Sequence, residues 1–593
     1  MRKTIEKTWV FAPKGNEDQI KKLADDVGLT ILQTSILYNR GFDTKDKIKY
    51  HLEFSLDSLH DTRLMKDAEK AVDIIINYCK HIWDATEKGQ TPDFEITNYS
   101  DYDPDGVGSL LTFYYGFGKI GVPINTFQND ASMGYGITKE GVDKVLKKYP
   151  KTKLIITSDN GIVAFDAIEY AKSLGLDVIV TDHHEPESDG SLPNADAVVN
   201  PKRLDCPYPF KGLCGAGVVF KLMMLLYYKL GKNPKMAYEL LDFVAIATVA
   251  DVMDLIDENR AIVKAGLDLI KEEKRIVWKA MRETFINGFY ERDITAKTIA
   301  FTYAPAINAC RRMLGSMDIP VGLFTLPNEE SYYGRMIEIC EYLRDINDDR
   351  KMMTTFLADG IEAIWRKKDD LKVGVLYHES MKEGLAGLVA GRIKETYNRP
   401  IFVLAPDEEN ENLCRGSARS IPGFNLKEVL DEIQAETNLL VKYGGHALAA
   451  GLTLEVKNIE AFEKAINEKA DKLLTNDDFM KYLYIDYAFD EDALDISVLD
   501  EIKFLEPYGQ GFKEPNIGLR AFKPNKKSFL GDEKQHVQFL GKKINIVSWN
   551  ASEECKIEAP FYIWSVGHLE YDAFNNCLKL AVEPEDIINK VKK

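Results

Sequence analysis

The sequence predicts an α/β protein: a parallel-sheet domain, a long helix leading to a second α/β domain, and a C-terminal segment built of strands. Three observations carry this reading. Apolar runs of strand length alternate with helical stretches across residues 94–181, a rhythm that implies a parallel sheet. Residues 329–369 keep a helical pattern with no proline, including Leu343, Ile346, Met353, Phe356 and Ile361, which suits one long connecting helix. Short β-like runs at 536–540, 544–547 and 561–566 then occupy the C-terminal part, and alone they say only all-β.

In chain order, residues 94–99 read as a strand running into Ser100-Asp101-Tyr102-Asp103-Pro104-Asp105-Gly106, with 107–120 as the helix after it. A second apolar run, 154–158, ends in Asp159-Asn160-Gly161 and precedes a helical stretch over 163–174. A third, 177–181, ends in Asp182-His183-His184. Ligands of parallel sheets bind outside the carboxyl ends of the strands, so Asp, Asp and His from three strand ends are expected to meet in one crevice. Residues 243–250 are apolar enough for a buried helix that ends on Asp251. A lone acid there would more often cap the helix; beside the other clusters it becomes a ligand candidate. Further on, 373–376 and 401–404 read as strands around a helical region at 384–399.

Alternate residues of an extended chain share a face, so Asp101, Asp103 and Asp105 are expected to converge. Carboxylates that close repel one another, and a divalent cation relieves the repulsion. A calcium loop begins the same way but requires a bidentate Glu at its twelfth position, where this chain has Thr112 after the apolar Val107, Leu110 and Leu111. That excludes the calcium loop; a solvated acidic turn is the plain alternative for the motif taken alone.

Composition sets outer bounds. A chain of 593 residues holds about three to five domains at roughly 150 residues each. The net charge of −18 argues against a simple polycation that coats nucleic acid, but not against a locally basic groove. Residues 522–529 and Gly541-Lys542-Lys543 are such local concentrations, equally readable as solvated turns. The eight cysteines include no C-x-x-C pair, so neither a zinc knuckle nor a disulfide framework is expected. With nine histidines in the chain, the adjacent pair after a strand is conspicuous, while His60 is left as ordinary packing. No apolar run reaches the ~18 residues of a membrane span, and the first residues do not lead into a signal-peptide core; a cytoplasmic location is expected.

Asp101-Tyr102-Asp103-Pro104-Asp105-Gly106, Ser158-Asp159-Asn160-Gly161, Asp182-His183-His184 and Val249-Ala250-Asp251 stand in the order and spacing of the DHH phosphoesterase superfamily, which the chain resembles. Residues 443–451, with Gly444-Gly445-His446, resemble the glycine-rich motif of the associated DHHA1 domain. Gly416-Ser417-Ala418-Arg419-Ser420 and Leu505-Glu506-Pro507-Tyr508-Gly509 are similar to segments of the RecJ single-strand-specific exonucleases. The resemblance runs from Asn39-Arg40-Gly41 to the terminal β-rich segment. It implies an N-terminal extension of the catalytic core at 1–85, a DHH catalytic domain at 86–328, a connecting helix at 329–370, a DHHA1 domain at 371–457, and a helical linker with an OB-fold-like β-barrel at 458–593. An OB-fold grips single strands by stacking bases on aromatics beside a basic groove.

The resemblance also implies a ligand set. One ion falls to Asp103 and Asp159, and the other to Asp105, Asp159, His183 and Asp251, with Asp159 bridging. Two divalent ions roughly 3.5 to 4 Å apart share a water, lower its pKa and stabilise charge on the attacked phosphate. Oxygen ligands with one imidazole suit Mn²⁺, with Mg²⁺ as substitute. Asp101, Asp159 and His184 form the catalytic set, His184 reaching the scissile phosphate or leaving oxygen. Asn308, Arg312, Ser417, Arg419, Gly444, Gly445 and His446 are the substrate-binding set, since Arg offers a planar fork and glycine turns bare N–H groups to phosphate. For His446, a packed histidine in a tight turn is the plain alternative.

Three positions depart from the family pattern: Tyr99 stands where many members place a histidine ligand, Asp130 where RecJ relatives have arginine, and Arg311 where a glycine is usual. The implied activity is metal-dependent exonuclease digestion of single-stranded DNA from the 5′ end to mononucleotides, in DNA repair or recombination. A single-strand-binding protein or a helicase would be its partner. The alternatives are a phosphodiesterase of short oligoribonucleotides or cyclic dinucleotides, which generally lacks the long helix and β-domain, and an inactive replication scaffold, in which the ligands would be eroded.

Overall fold

The chain's apolar runs are buried on both faces and returned by helices, the arrangement that parallel strands require. In the computed structural model, which describes residues 7–11, 17–129, 133–134, 136–286, 293–368, 370–531, 533–549, 551, 562–572 and 575–590, they form an all-parallel five-stranded sheet. Its strands are Glu95–Ser100, Asn125–Gln128, Thr152–Ser158, Asp177–Thr181 and Ala197–Val199. Asn125–Gln128 lies outside Glu95–Ser100, and the remaining three follow on the other side in sequence order. Strand order therefore reverses between Glu95–Ser100 and Thr152–Ser158, the crevice where doubly wound sheets bind ligands.

Helices cover both faces. Pro104–Gly118, Gly215–Lys229 and Leu241–Ala250 bury Phe113, Phe117, Phe220, Leu226 and Val244 against Ile96, Leu154, Ile156 and Ile179. On the other face Ile162, Ile168, Val142 and Val145 pack on Ile155, Val178 and Val180. One expectation needs correction. The helix after the first acidic cluster begins at Pro104 rather than near 107, with Asp103 as its cap and Asp105 inside its first turn. Proline presets the first helical φ and needs no N–H there. The three aspartates are thus brought together by a strand end and a helix start, not by alternation along an extended chain.

The described chain divides into two compact units. One comprises Asp18–Asn347 with Glu501–Glu514; the other comprises Asp348–Asp500 with Pro515–Lys593 and Met1–Glu17. In the first, the returning 501–514 segment is held by Arg260, whose Nη2 donates to the carbonyls of Leu505 (2.8 Å) and Glu506 (2.9 Å) and whose Nη1 donates to that of Pro507 (3.0 Å). Phe512 lies 4.4 Å from the buried His51 ring and Leu255 N–H donates to Gln510 at 2.8 Å, which braces the loop that follows Asp251.

The long helix is observed as Tyr333–Trp365; Asp369, its expected end, lies outside the described residues. In the second unit a mixed sheet orders its strands as Leu440–Gly445, Ala449–Glu455, Leu413–Arg419, Ile401–Pro406 and Gly374–Tyr377. Only the last two pair in parallel. The C-terminal runs form an eight-stranded sheet; the run expected from Phe561 is described from Tyr562, as the strand Tyr562–Asp572. No helix among the described residues is long and apolar enough to cross a membrane.

Candidate metal centre and strand-binding residues

Three loops leave the parallel sheet in step. Asp101, Asp159 and Asp182 each extend the ladder by one residue, donating N–H to Ser158 (3.2 Å), Thr181 (3.0 Å) and Val199 (3.0 Å). The first loop then turns tightly: Asp103 Oδ1 accepts from Gly106 N–H at 2.9 Å, and a Cβ on Gly106 would run into the Asp101 carbonyl. Asp105 faces the N-terminus of Gly215–Lys229, its two oxygens accepting from Gly215 N–H (2.7 Å) and Ala216 N–H (2.8 Å), where free N–H groups and the helix dipole favour an anion. Gly215 is required by the approach of Asp159, whose Cβ would lie 2.5 Å from a Cβ at that position.

All seven predicted ligands and catalytic groups converge here. His183 Nε2 stands 3.1 Å from Asp159 Oδ1, 3.5 Å from Asp251 Oδ2 and 3.6 Å from Asp105 Oδ2. Asp101, Asp103 and Asp159 form a neighbouring group, with ligand atoms within 4.8 Å of one another. Asp251 is reached because it is the C-cap of Leu241–Ala250, as the sequence reading required.

The donor set fits divalent cations. Among the described residues Asp101 Oδ1, Asp159 Oδ1, Asp251 Oδ2 and both ring nitrogens of His183 are buried without a hydrogen-bond partner, an unfavourable arrangement unless something binds them. Burial, then the charge of Asp103, holds the Asp101 carboxyl well above the usual range. Burial and the charges of Asp105, Asp103, Asp101 and Asp251 do the same to Asp159. Asp251 is pushed up to about 8 by burial and by Asp105 and Asp103. Burial lowers His183 to about 4, leaving a neutral imidazole of the kind that ligates metal.

His184 behaves oppositely. Burial disfavours its charged form, but the 2.8 Å contact of Nδ1 with Asp182 Oδ1 outweighs that and raises it to about 9. Asp182, absent from the expected site set, is the positioning residue. Its Oδ1 also accepts from the N–H groups of His183 (2.7 Å) and His184 (3.1 Å), and its Oδ2 from Ile162 N–H at 2.9 Å. The motif's first letter was its signal, but only the fold shows that its carboxylate turns back to hold the two histidines.

The structure separates the substrate-binding set between the two units. Asn308 and Arg312 lie half-buried on the helix Ala304–Leu314, in the unit of the metal centre. In the other, Ser417 and Arg419 lie on the strand Leu413–Arg419, and Gly444 and Gly445 end the strand Leu440–Gly445, with Ala449–Glu455 between the two strands and His446 directly after Gly445. Gly444, Gly451 and Ser417 fall in one row across the sheet, so Ser417 has only bare backbone on that side. Arg419 Nη1 donates to Ser417 Oγ at 2.9 Å and to the Ala418 carbonyl at 2.8 Å. Gly387 of the covering helix passes so near that a Cβ there would stand 3.0 Å from Arg419 Nη2. His446 is exposed.

The departures have definite places. Tyr99 is fully buried with Ile137, Val142 and Val145, and its hydroxyl donates to Asn129. Asp130 lies outside the described residues. Arg311 stacks its guanidinium 4.0 Å over the ring of Tyr102. Of the late basic residues, Lys543 is engaged by the carbonyls of Asp492 (2.6 Å) and Leu494 (2.9 Å), whereas Lys527 lies 5.1 Å over Phe529, a basic and aromatic pairing. A second acidic group, His60 with Asp257 and Glu258, is internally satisfied: Glu258 accepts from Lys221 (2.8 Å) and Tyr208 (2.5 Å), and His60 lies 2.9 Å from Asp257. Among the described residues six cysteines are buried and Cys577 is half-buried, and all seven of these are free thiols.

Comparison with known proteins agrees with this geometry. Residues 95–248 match the DHH family N-terminal domain, 370–472 the DHHA1 domain and 485–586 the RecJ OB domain. The chain is similar to the single-stranded-DNA-specific exonuclease RecJ of Bacillus subtilis, with 32% identity over 95% of this chain and 68% of that protein. A crystal structure of RecJ with Mn²⁺ from Thermus thermophilus superimposes with a TM-score of 0.79 at 25% identity, covering 100% of this chain and 81% of that one. A second, with Mg²⁺, has the same fold, with a TM-score of 0.72 at 23% identity over 100% of this chain and 80% of that one.

Proposed function

The chain belongs to the RecJ exonuclease family, and from that premise we propose that it is a metal-dependent exonuclease that hydrolyses single-stranded DNA. The observation that carries this is the group of Asp101, Asp103, Asp105, Asp159, His183 and Asp251 at the switch point of the sheet, with five of its buried polar atoms lacking a hydrogen-bond partner among the described residues. Asp103 and Asp159 would hold one ion and Asp105, Asp159, His183 and Asp251 the other, with Asp101 beside the first. Mn²⁺ fits this oxygen-rich set with one imidazole, and Mg²⁺ can replace it. When bound, the ions supply an activated water and neutralise charge on the attacked phosphate.

The protein's own groups do the rest. Asp182 orients His184 and raises its proton affinity, so that His184 would donate to the phosphate or to the leaving oxygen. Ser417, Arg419 and the N–H groups of Gly444 and Gly445 would hold phosphates of the same strand, while the C-terminal sheet would stack bases on aromatics such as Phe529. Attack from a 5′ end with release of mononucleotides follows from the family resemblance, as do a role in DNA repair or recombination and a single-strand-binding protein or helicase as partner; a cytoplasmic location is the setting expected for such an enzyme.

End-labelled single-stranded DNA, duplex DNA, RNA and a cyclic dinucleotide, each incubated with the protein in Mn²⁺, test the proposal. Progressive shortening of single-stranded DNA from the 5′ end is expected. Preferential hydrolysis of the cyclic dinucleotide, or no hydrolysis of any substrate, would replace it with one of the alternatives.

A further inference from the structure

We propose that Arg311 is a phosphate-contacting residue of the cleavage centre, a role that rests on the exonuclease reading. Arg311 lies on the helix Ala304–Leu314, and its guanidinium carbon sits 4.0 Å over the ring of Tyr102, the residue between Asp101 and Asp103. Its charge is felt at the buried Asp101 carboxyl. A fixed cation therefore stands at the end of the cluster formed by Asp101, Asp103 and Asp159.

Stacking on an aromatic ring occupies the face of a guanidinium and leaves its edge, of which the Tyr102 hydroxyl here takes a part. That edge carries the N–H donors, and Arg311 Nε is buried without a hydrogen-bond partner among the described residues. A buried donor left in this state awaits an acceptor. A phosphate fits, because two of its oxygens match the planar fork and because its charge strengthens both bonds. Charge balance points the same way. The carboxylates of Asp101, Asp103, Asp105, Asp159 and Asp251 bring five negative charges to the site, one more than two divalent ions cancel, before the substrate adds its own. A rigid cation at the rim relieves that excess, most of all when negative charge builds on the phosphate oxygens. The ring of Tyr102 keeps the arginine in place in the meantime, so little ordering remains for the moment of binding.

The test compares wild type with Arg311→Gln, Arg311→Lys and Tyr102→Leu in two measurements. The first is kcat and KM on 5′-labelled single-stranded DNA in Mn²⁺. The second is the affinity for the same strand with Ca²⁺ in place of Mn²⁺, across a salt series. Arg311→Gln should lower kcat/KM by about tenfold to a hundredfold and flatten the slope of log affinity against log salt by roughly 0.7, the share of one phosphate contact. Arg311→Lys should keep the slope but not the full rate, and Tyr102→Leu should lose rate in the same direction. Mn²⁺ affinity and thermal midpoint should stay at wild type in Arg311→Gln. An unchanged rate and slope in that variant, or a rate loss matched by weaker Mn²⁺ binding with the slope unchanged, would make Arg311 a clamp on the Tyr102 loop and overturn the proposal. If the wild type fails to cut, the exonuclease reading falls by itself. The salt slope still decides Arg311: flattening supports it, and no change overturns it.

Discussion

In the parallel sheet, carboxylates are drawn with a histidine into a mostly buried volume where the acids raise one another's proton affinity and polar atoms are left without a hydrogen-bond partner among the described residues. In the mixed sheet, Gly444, Gly445 and His446 stand exposed at a strand end, and Ser417 and Arg419 already bond each other. The first arrangement is unfavourable until cations enter, so its groups are suited to chemistry on a reacting phosphate. The second is close to satisfied and open to solvent, which suits grip on a strand. Mutations in the two regions should therefore separate rate from affinity, and Asp159→Ala should separate them most. Removing a carboxylate shared by both proposed ions should lower kcat on the order of a thousandfold, with the midpoint of thermal unfolding in EDTA unchanged or raised because a crowded charge is gone. Wild-type kcat at saturating Mn²⁺ would break the comparison at its root.

Asp182→Asn comes next, because it leaves the ligands in place. A partner that orients and charges an active-site histidine is worth about tenfold to a hundredfold in rate. The sign of the pH effect is fixed by the raised pKa of His184, about 9 in the folded protein against an ordinary value near ~6.5. Stabilisation of the metal-free fold from this group is complete below the ordinary value and lost as pH rises through about 9. The asparagine variant should lose that dependence in urea unfolding followed from pH 6 to 10, and the alkaline limb of its rate profile should move to lower pH. An alkaline limb identical to wild type would remove His184 from proton transfer.

The legibility of these two regions differed for a physical reason. Asp101, Asp159, His183 and Asp251 were readable because each lies at an element's end whose type is set locally, and strand ends of a parallel sheet share one side. Asp182 was not, since its role depends on a side chain turning back to Ile162 and both histidines. The N-terminus of Gly215–Lys229 that receives Asp105 is separated from it by about a hundred residues of sequence, and no periodicity reports such a meeting. The 501–514 segment returning to Arg260 is equally non-local. The alternation argument for Asp101, Asp103 and Asp105 reached the right convergence by the wrong geometry, because Pro104 starts a helix there. In the mixed sheet the glycine-rich motif was readable, but the row of Gly444, Gly451 and Ser417 is a matter of register.

On the grip side, Arg419→Ala should raise KM by roughly tenfold, the worth of a charge-assisted hydrogen bond, while kcat at saturation stays within about twofold. Among the described residues its side-chain hydrogen bonds run from Nη1 to Ser417 and Ala418 of its own strand, so the fold should not depend on it. A fall in kcat with KM unchanged would place Arg419 with the reacting groups and blur the contrast between the sheets.

The smallest effect sharpens the contrast most. His446 is exposed, and its backbone N–H, rather than its ring, closes the turn by donating to Ala449 at 2.8 Å. His446→Ala keeps that bond, so neither the turn nor the thermal midpoint should change. A packed histidine would behave otherwise, since removing a buried ring leaves a cavity and costs stability. If the exposed ring meets the strand, its contact is solvated and screened, worth at most about 1 kcal/mol, which reads as a twofold to fivefold rise in KM. The rise should shrink in high salt, because a solvated contact of this kind is screened. A destabilised variant would return His446 to the packing role. A KM that rises equally at low and high salt would mean that the ring acts by stacking or shape, and the exposed turn would then resemble the aromatic surfaces of the C-terminal sheet more than a phosphate cradle.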